Sequence, residues 1–242
     1  MREWLVRLQG ERLDLEEASL HFRTADSEVR QEDGGYYLTS ADFTSMTESS
    51  AVLKRGKELL KVINGILRLL VRNHQPVAAD GLVVGVDEAG SRNQYIHVAG
   101  TLAVRGRLHA AAAVVKSDGT TELPAQHPTQ AASWMAMARR DDDVGWALGL
   151  FAQPTLGKLY NILDVISEDV GGEKALMGTG WVSKGEIKRF KRTVDCRKAA
   201  GDEARHGKTC EPPKRPMSLR EAQDLFGALL NKWLETKAID CK

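Results

Sequence analysis

The sequence has no apolar run long enough to cross a membrane and no excess of charge of either sign. Its most apolar stretch near the start, residues 4–8, falls far short of the ~20 residues that a spanning helix needs. That stretch also lacks the small-residue cleavage site of a signal peptide, so we expect a cytoplasmic protein. Thirty-four lysines and arginines stand against 33 acids, a formal net charge of +1, which excludes a uniformly basic nucleic-acid-binding protein.

Cysteine is scarce, and the familiar catalytic motifs are missing. The three cysteines, Cys196, Cys210 and Cys241, are an odd number and widely spaced, which fits reduced thiols better than a disulfide framework. The sequence contains no phosphate-binding G-x-x-x-x-G-K-S loop, no dinucleotide-binding G-x-G-x-x-G, no G-x-S-x-G elbow and no H-E-x-x-H motif. These absences argue against the commonest nucleotide-binding, hydrolase and zinc-protease classes. We expect no cofactor.

The first 125 residues predict a domain of mixed strands and helix. Residues 31–38 predict a β-hairpin whose turn is formed by Asp33, Gly34 and Gly35. Apolar residues at three- and four-residue steps predict one long helix over residues 49–71. We therefore expect a small antiparallel sheet with this helix packed on it. Further strands are predicted at residues 4–8, 82–86, 95–98 and 108–115.

Residues 126–242 predict a second, helical domain, which makes the fold class α+β. The boundary lies where Pro124 and Pro128 interrupt both periodicities. Two capping boxes mark helix starts, because a serine is followed three residues later by a glutamate in each. Asp143 is expected to cap another helix. The predicted helices cover residues 129–140, 144–151 and 156–166, and one helix follows each capping box, Ser183 with Glu186 and Ser218 with Glu221.

The strongest functional feature is a basic segment, residues 181–220. It holds twelve lysines and arginines against five acids, a net charge of +7 in a chain whose total is +1. Within its first helix the cations recur at three- and four-residue steps, opposite the apolar positions. A phosphate backbone would be attracted to such a face. The alternative is a solvated face, or one matched to the acidic remainder of the chain. The predicted nucleic-acid-binding residues are Lys184, Lys188, Lys191, Arg192 and Arg197.

A loop between the two capped helices places Arg205 beside His206. Histidine titrates near neutrality, and arginine can hold a phosphate or an oxyanion, so the two form a candidate acid–base and charge-stabilising pair. Asp202 or Glu203 could orient the imidazole. The alternative is a surface loop in which Arg205 and His206 pair with the adjacent acids.

A helical module with an arginine near a histidine in a loop, preceded by a basic amphipathic helix, resembles the HEPN domains of bacterial toxin and antiviral systems. The resemblance covers about residues 155–242. It implies metal-independent RNA cleavage by a dimer, with the ribose 2′-hydroxyl as nucleophile and Arg205 and His206 as catalytic residues. Members of that group place several residues between the arginine and the histidine, whereas these two are adjacent. Arg197 is the other upstream arginine.

Metal sites are the remaining chemistry that the sequence suggests. The residue types that bind zinc are present at Cys196, His206, Cys210 and Cys241, but the sequence has no paired C-x-x-C motif. The aspartates at residues 141–143 suit a helix start better than a magnesium site. We therefore expect no metal.

Two functions from different classes remain open. The first is an RNA-directed module of a bacterial defence or toxin system, and the second is a non-catalytic adaptor or structural subunit of a larger protein assembly. Partners would be RNA or DNA through the basic helix, or other proteins, and the chain could form an oligomer. No membrane partner is expected.

Overall fold

A computed structural model describes residues 3–24, 26–71, 73–97, 114–115, 121–122, 128–205 and 211–240. The contacts divide the chain into two compact units. The N-terminal unit comprises Met1–Leu60 and Asn73–Ala132, and the C-terminal unit comprises Lys61–Arg72 and Ser133–Lys242. The α+β class is confirmed, because the N-terminal unit contains an antiparallel sheet and helices make up the C-terminal unit.

The described residues form seven strands and nine α-helices, numbered here in chain order. The strands are β1 (Glu3–Gln9), β2 (Ser27–Glu32), β3 (Gly35–Ser40), β4 (Ala78–Val86), β5 (Arg92–Ile96), β6 (Val114–Val115) and β7 (Thr121–Glu122). The helices are α1 (Arg12–His21), α2 (Ser49–Leu70), α3 (Pro128–Arg140), α4 (Asp142–Phe151), α5 (Leu156–Asp169), α6 (Glu173–Gly178), α7 (Lys184–Val194), α8 (Arg197–Ala200) and α9 (Leu219–Asp240). No helix in the described part of the chain is both long and apolar enough to cross a membrane.

The five main strands form one antiparallel sheet in the order β2-β3-β1-β4-β5. The predicted hairpin is confirmed as β2 and β3, and its turn residues Asp33 and Gly34 have φ of 47° and 76°. A tight hairpin turn of this kind needs positive φ at both central positions. The strand predicted at residues 95–98 lies earlier, at β5. Of the strand predicted at residues 108–115, only Val114–Val115 falls among the described residues.

The sheet curves enough for side chains of its two edge strands to form an ion pair. Arg92 on β5 donates to Glu32 on β2 at 3.0 Å, although these strands are at opposite edges. Arg30 on β2 also reaches Glu3 on β1, with 3.0 Å between nitrogen and oxygen. By the strand registers, the apolar cluster Leu5, Tyr37, Leu82 and Val84 lies on the same face of the sheet as these ion pairs.

Helix α1 has no counterpart among the predicted elements. Its apolar positions are few, and Leu13 is 39% exposed, so the helix lacks the broad apolar stripe that reveals α2. Asp14 of α1 instead makes polar contacts, accepting from the Gln75 backbone N–H at 2.9 Å and lying 3.0 Å from Nδ1 of buried His74. These partners are distant in sequence, so the role of His74 was invisible without the fold.

Local sequence signals explain most helix starts in the C-terminal unit. In the first capping box, Ser183 Oγ accepts from the Glu186 N–H at 3.2 Å and the Glu186 carboxylate accepts from the Ser183 N–H at 2.9 Å, as predicted. The second box shows the same reciprocal bonds between Ser218 and Glu221.

The prediction of Asp143 as a cap is wrong. Asp141 caps α4, accepting from the backbone N–H groups of Asp143 and Val144 at 3.0 and 3.2 Å. Its backbone is extended, as a cap requires. Asp142 and Asp143 lie in the first helical turn, where the helix dipole favours negative charge.

The prediction that the three cysteines are reduced thiols is also wrong. Cys196 is fully buried between α7 and α8 and is disulfide-bonded. Cys210 and Cys241 lie outside the described residues. Spacing along the chain could not reveal the bond, because a disulfide depends on how closely two Cβ atoms approach in the fold.

Candidate nucleic-acid interface

Helix α7 presents one apolar face to the core and one charged face outward. Its buried residues are Ile187, Phe190, Thr193 and Val194. The Phe190 ring packs against Phe226 of α9, with centroids 4.7 Å apart. Thr193 Oγ1 donates to the Arg189 carbonyl at 2.8 Å and accepts from the Met217 N–H at 3.0 Å. These contacts fix the rotation of α7 and therefore decide which of its cations face outward.

Arg189 is a structural cation of the basic segment. Its Nη2 donates to both carboxylate oxygens of Glu221 at 2.9 and 3.0 Å. The same guanidinium donates to the carbonyls of Arg215 and Pro216 at 2.8 and 3.1 Å. Since most of its hydrogen-bonding capacity is used inside the protein, Arg189 connects α7 to the start of α9 and has little to offer a ligand.

The Glu221 carboxylate makes the capped start of α9 sensitive to acid. The backbone N–H of Ser218, the Arg189 guanidinium and the Ser218 hydroxyl together lower the pKa of Glu221 to about 2. A carboxyl whose pKa falls on folding stabilises the folded state above its unfolded pKa, near 4.5, and loses that effect as pH falls toward 2. We expect Glu221→Gln to be less stable than the wild type at pH 6, with the difference in melting temperature narrowing between pH 4.5 and 2.

Thermal unfolding followed by circular dichroism at each pH measures this difference. The matched control is Glu235→Gln, which alters an exposed carboxylate of the same helix paired with Lys232. The control should show a much smaller change with pH. A Glu221→Gln melting temperature that stays parallel to that of the wild type from pH 6 to pH 2 would contradict the prediction.

Four of the five predicted nucleic-acid-binding residues are exposed, and together they are here called the cationic strip. Its members are Lys184, Lys188 and Arg192 on α7 and Arg197 on α8. Among the described residues, none of the four forms an ion pair or a hydrogen bond through its side chain. Lys198, next to Arg197, is exposed as well. The one acid within α7, Glu186, is occupied by the capping box, which lowers its pKa.

Lys191, the fifth predicted residue, is separated from the strip by its contacts. Its ammonium forms an ion pair with Glu173 of α6 and lies 5.8 Å from the centre of the Tyr160 ring. Burial lowers the pKa of Lys191, but pairing with Glu173 outweighs it, so the net pKa is raised. Lys191 therefore acts chiefly within the protein.

Arg205 is an exposed residue whose position is set by two contacts. Its backbone N–H donates to the carbonyl of Val194, the last residue of α7, at 2.9 Å. Its guanidinium carbon lies 4.2 Å from the centre of the Tyr160 ring on α5, and Nη1 donates to the Tyr160 hydroxyl. His206, its predicted catalytic partner, lies outside the described residues.

The acids of the same loop are not equivalent. Glu203 accepts from the Leu156 N–H at 2.7 Å, at the start of α5, so its carboxylate helps to satisfy that helix terminus. Asp202 is exposed. Of the two acids proposed to orient an imidazole, Glu203 therefore has a structural role that sequence reasoning did not foresee.

Asp164 is a neighbour of the site that sequence reasoning missed. Burial raises its pKa, and the positive charges of Arg205 and Lys191 only partly oppose this. Tyr160 and Asp164 are four residues apart on α5 and so share one face, which the sequence could have indicated. Only the fold shows that this face meets α7 and the loop that carries Arg205.

The described residues show no metal site, and known proteins show no likeness to this chain. Across the described residues, no three histidine, cysteine or acidic side chains lie close enough together to hold a metal ion. Comparison with models of known protein families, with curated proteins and with solved structures finds no match to this chain. The HEPN resemblance stays a prediction from the sequence.

Proposed function

We propose that the C-terminal unit binds nucleic acid, and RNA in particular, along the cationic strip. The observation that supports this is the state of Lys184, Lys188, Arg192 and Arg197, which are exposed and make no ion pair among the described residues. A cation already paired with a carboxylate gains little from a phosphate. An unpaired cation can neutralise a phosphate and release the counterions condensed on the nucleic acid.

The spacing of the strip suits one strand. Lys184, Lys188 and Arg192 follow one another at four-residue steps, so they recur about every 6 Å along α7. Successive phosphates of a nucleic-acid strand are separated by a similar distance. Arg197 follows the end of α7 by three residues, at the start of α8. The strip can therefore contact consecutive phosphates of a single strand.

The choice of RNA and the biological setting rest on the HEPN resemblance. On that basis we propose an RNA-directed module of a bacterial defence or toxin system. Cleavage in the HEPN manner would need His206, which lies outside the described residues, so the function proposed for the strip is binding.

The test is the salt dependence of binding to a short, fluorescein-labelled single-stranded RNA, measured by fluorescence anisotropy. With four phosphate contacts on a single strand, we expect log K to fall with log[salt] at a slope of about −3. Absence of binding at low salt, or an affinity indifferent to salt, would contradict the proposal. DNA of the same sequence is the control for RNA preference.

The same mixture, incubated without divalent metal, also tests the implied ribonuclease. RNA that stays intact is the result expected of a binding module. RNA cleavage that disappears in His206→Ala would support the catalytic role that the resemblance assigns to this histidine.

A further inference from the structure

We propose that Arg205 and Tyr160 form a phosphate clamp at the α8 end of the cationic strip. In this arrangement Arg205 contacts one phosphate of the bound strand, and Tyr160 is a positioning residue that holds the guanidinium in place. The inference rests on the proposed nucleic-acid binding and adds a defined contact to it.

The backbone places Arg205 at the end of the strip. Its N–H donates to the carbonyl of Val194, which closes α7 one half-turn after Arg192. The chain between them leads through α8, whose first residue, Arg197, belongs to the strip. A strand that follows Lys184, Lys188 and Arg192 along α7 is therefore led toward Arg205.

The guanidinium of Arg205 retains donors for a ligand. An arginine side chain has five N–H donors, and the Tyr160 hydroxyl accepts from Nη1. Arg205 is exposed, and among the described residues it forms no ion pair. Lys191, the other cation beside the same ring, differs because Glu173 neutralises it. Of the two, Arg205 is the one that remains able to bind an anion.

Tyr160 provides a rigid support for this guanidinium. Its side chain is buried, and its ring stacks on Phe190 with centroids 6.5 Å apart and planes 26° apart. Phe190 in turn packs against Phe226, so the support continues into the core of the C-terminal unit. A guanidinium held over an aromatic ring and bonded to its hydroxyl is pre-organised, which lowers the entropy lost when its planar fork meets a phosphate.

The test compares three variants on the same labelled single-stranded RNA. Tyr160→Phe keeps the ring but removes the hydroxyl, so we expect Kd to rise about threefold to tenfold with the salt slope unchanged. Arg205→Lys keeps the charge but loses the fork, so it should also raise Kd at constant slope. Arg205→Ala removes the fifth phosphate contact, which the clamp adds to the four of the strip, so the slope should become shallower by about 0.7, from about −3.5 to about −2.8.

The slope separates a clamp from a merely structural contact. A structural role would lower the melting temperature of these variants while leaving Kd and slope as in the wild type. Tyr36→Phe, which removes a hydroxyl from β3 of the N-terminal unit, is the matched control and should bind as the wild type does.

RNA binding by the wild type and by the variants distinguishes loss of the clamp from loss of the proposed function. If the wild type binds RNA with the expected slope but Tyr160→Phe and Arg205→Ala bind equally well, the clamp is overturned and the strip stands. If the wild type binds no RNA, the proposed function and the clamp are overturned together.

Discussion

Gly65→Ala is expected to destabilise the C-terminal unit by roughly 2–4 kcal/mol, lowering its melting temperature by roughly 10 °C. Gly65 is buried on α2, where its backbone lies directly against that of Leu148 on α4. An alanine Cβ at this position would lie 2.6 Å from the Leu148 carbonyl carbon and closer still to its oxygen. Two backbones cannot yield as a flexible side chain can, so the helices would have to move apart.

Gly149→Ala provides a matched control in the same pair of helices. An alanine Cβ at Gly149 would meet the Lys61 Cβ at 3.6 Å, an ordinary van der Waals distance. Because glycine is a poor helix residue, this variant should be more stable than the wild type by about 0.5–1 kcal/mol. Chemical denaturation with circular dichroism measures both changes. Equal stabilities for Gly65→Ala and Gly149→Ala would contradict the close approach of the Gly65 and Leu148 backbones.

The double reversal Lys188→Glu with Arg192→Glu is expected to remove RNA binding by the cationic strip. Each substitution deletes one phosphate contact and adds a repulsive carboxylate, so the strip loses its net positive charge. We expect Kd to rise at least about a hundredfold at low salt, and the salt slope to move from about −3 toward zero. Both residues are exposed, so the folded structure should be retained.

The control for this experiment is Lys54→Glu with Lys57→Glu. These two lysines are exposed on α2 within the N-terminal unit, and the double change alters net charge by the same amount. Because these lysines lie outside the strip, the control should change Kd by no more than about twofold, through the general change in net charge. RNA binding that survives the Lys188 and Arg192 reversal, or that falls equally in the control, would reject the strip as the binding surface. The adaptor function would be favoured if the wild type binds no RNA but binds an acidic partner protein that the Lys188 and Arg192 reversal does not bind.

Local signals made much of the fold predictable. The hairpin of β2 and β3, the amphipathic α2 and the two capping boxes each depend on residues within a few positions of one another. Their energies are decided by nearby backbone and side-chain groups, whatever the rest of the chain does. Helix α1 and the cap of α4 could not be predicted from local signals. Helix α1 has few apolar positions, and the three consecutive aspartates before α4 offer three alternative caps.

The sequence predicted which cations the site contains but not which of them are available to a ligand. The +7 segment and the row of cations on α7 are visible in the sequence. Which cations are available to a ligand is a different matter, because it depends on carboxylates elsewhere in the chain. Arg189 is committed to Glu221 on α9, and Lys191 is committed to Glu173 on α6.

The sequence by itself therefore determined the α+β class, the capped helices and the position of the basic segment, since these follow from composition, periodicity and short-range hydrogen bonds. Only the tertiary structure decided that Lys184, Lys188, Arg192 and Arg197 remain unpaired among the described residues and that Arg205 rests on Tyr160. The physical reason is that ion pairing and ring stacking act over a few ångströms in space. Their partners here stand 18 to 45 positions apart along the chain, as for Lys191 with Glu173 and Arg205 with Tyr160.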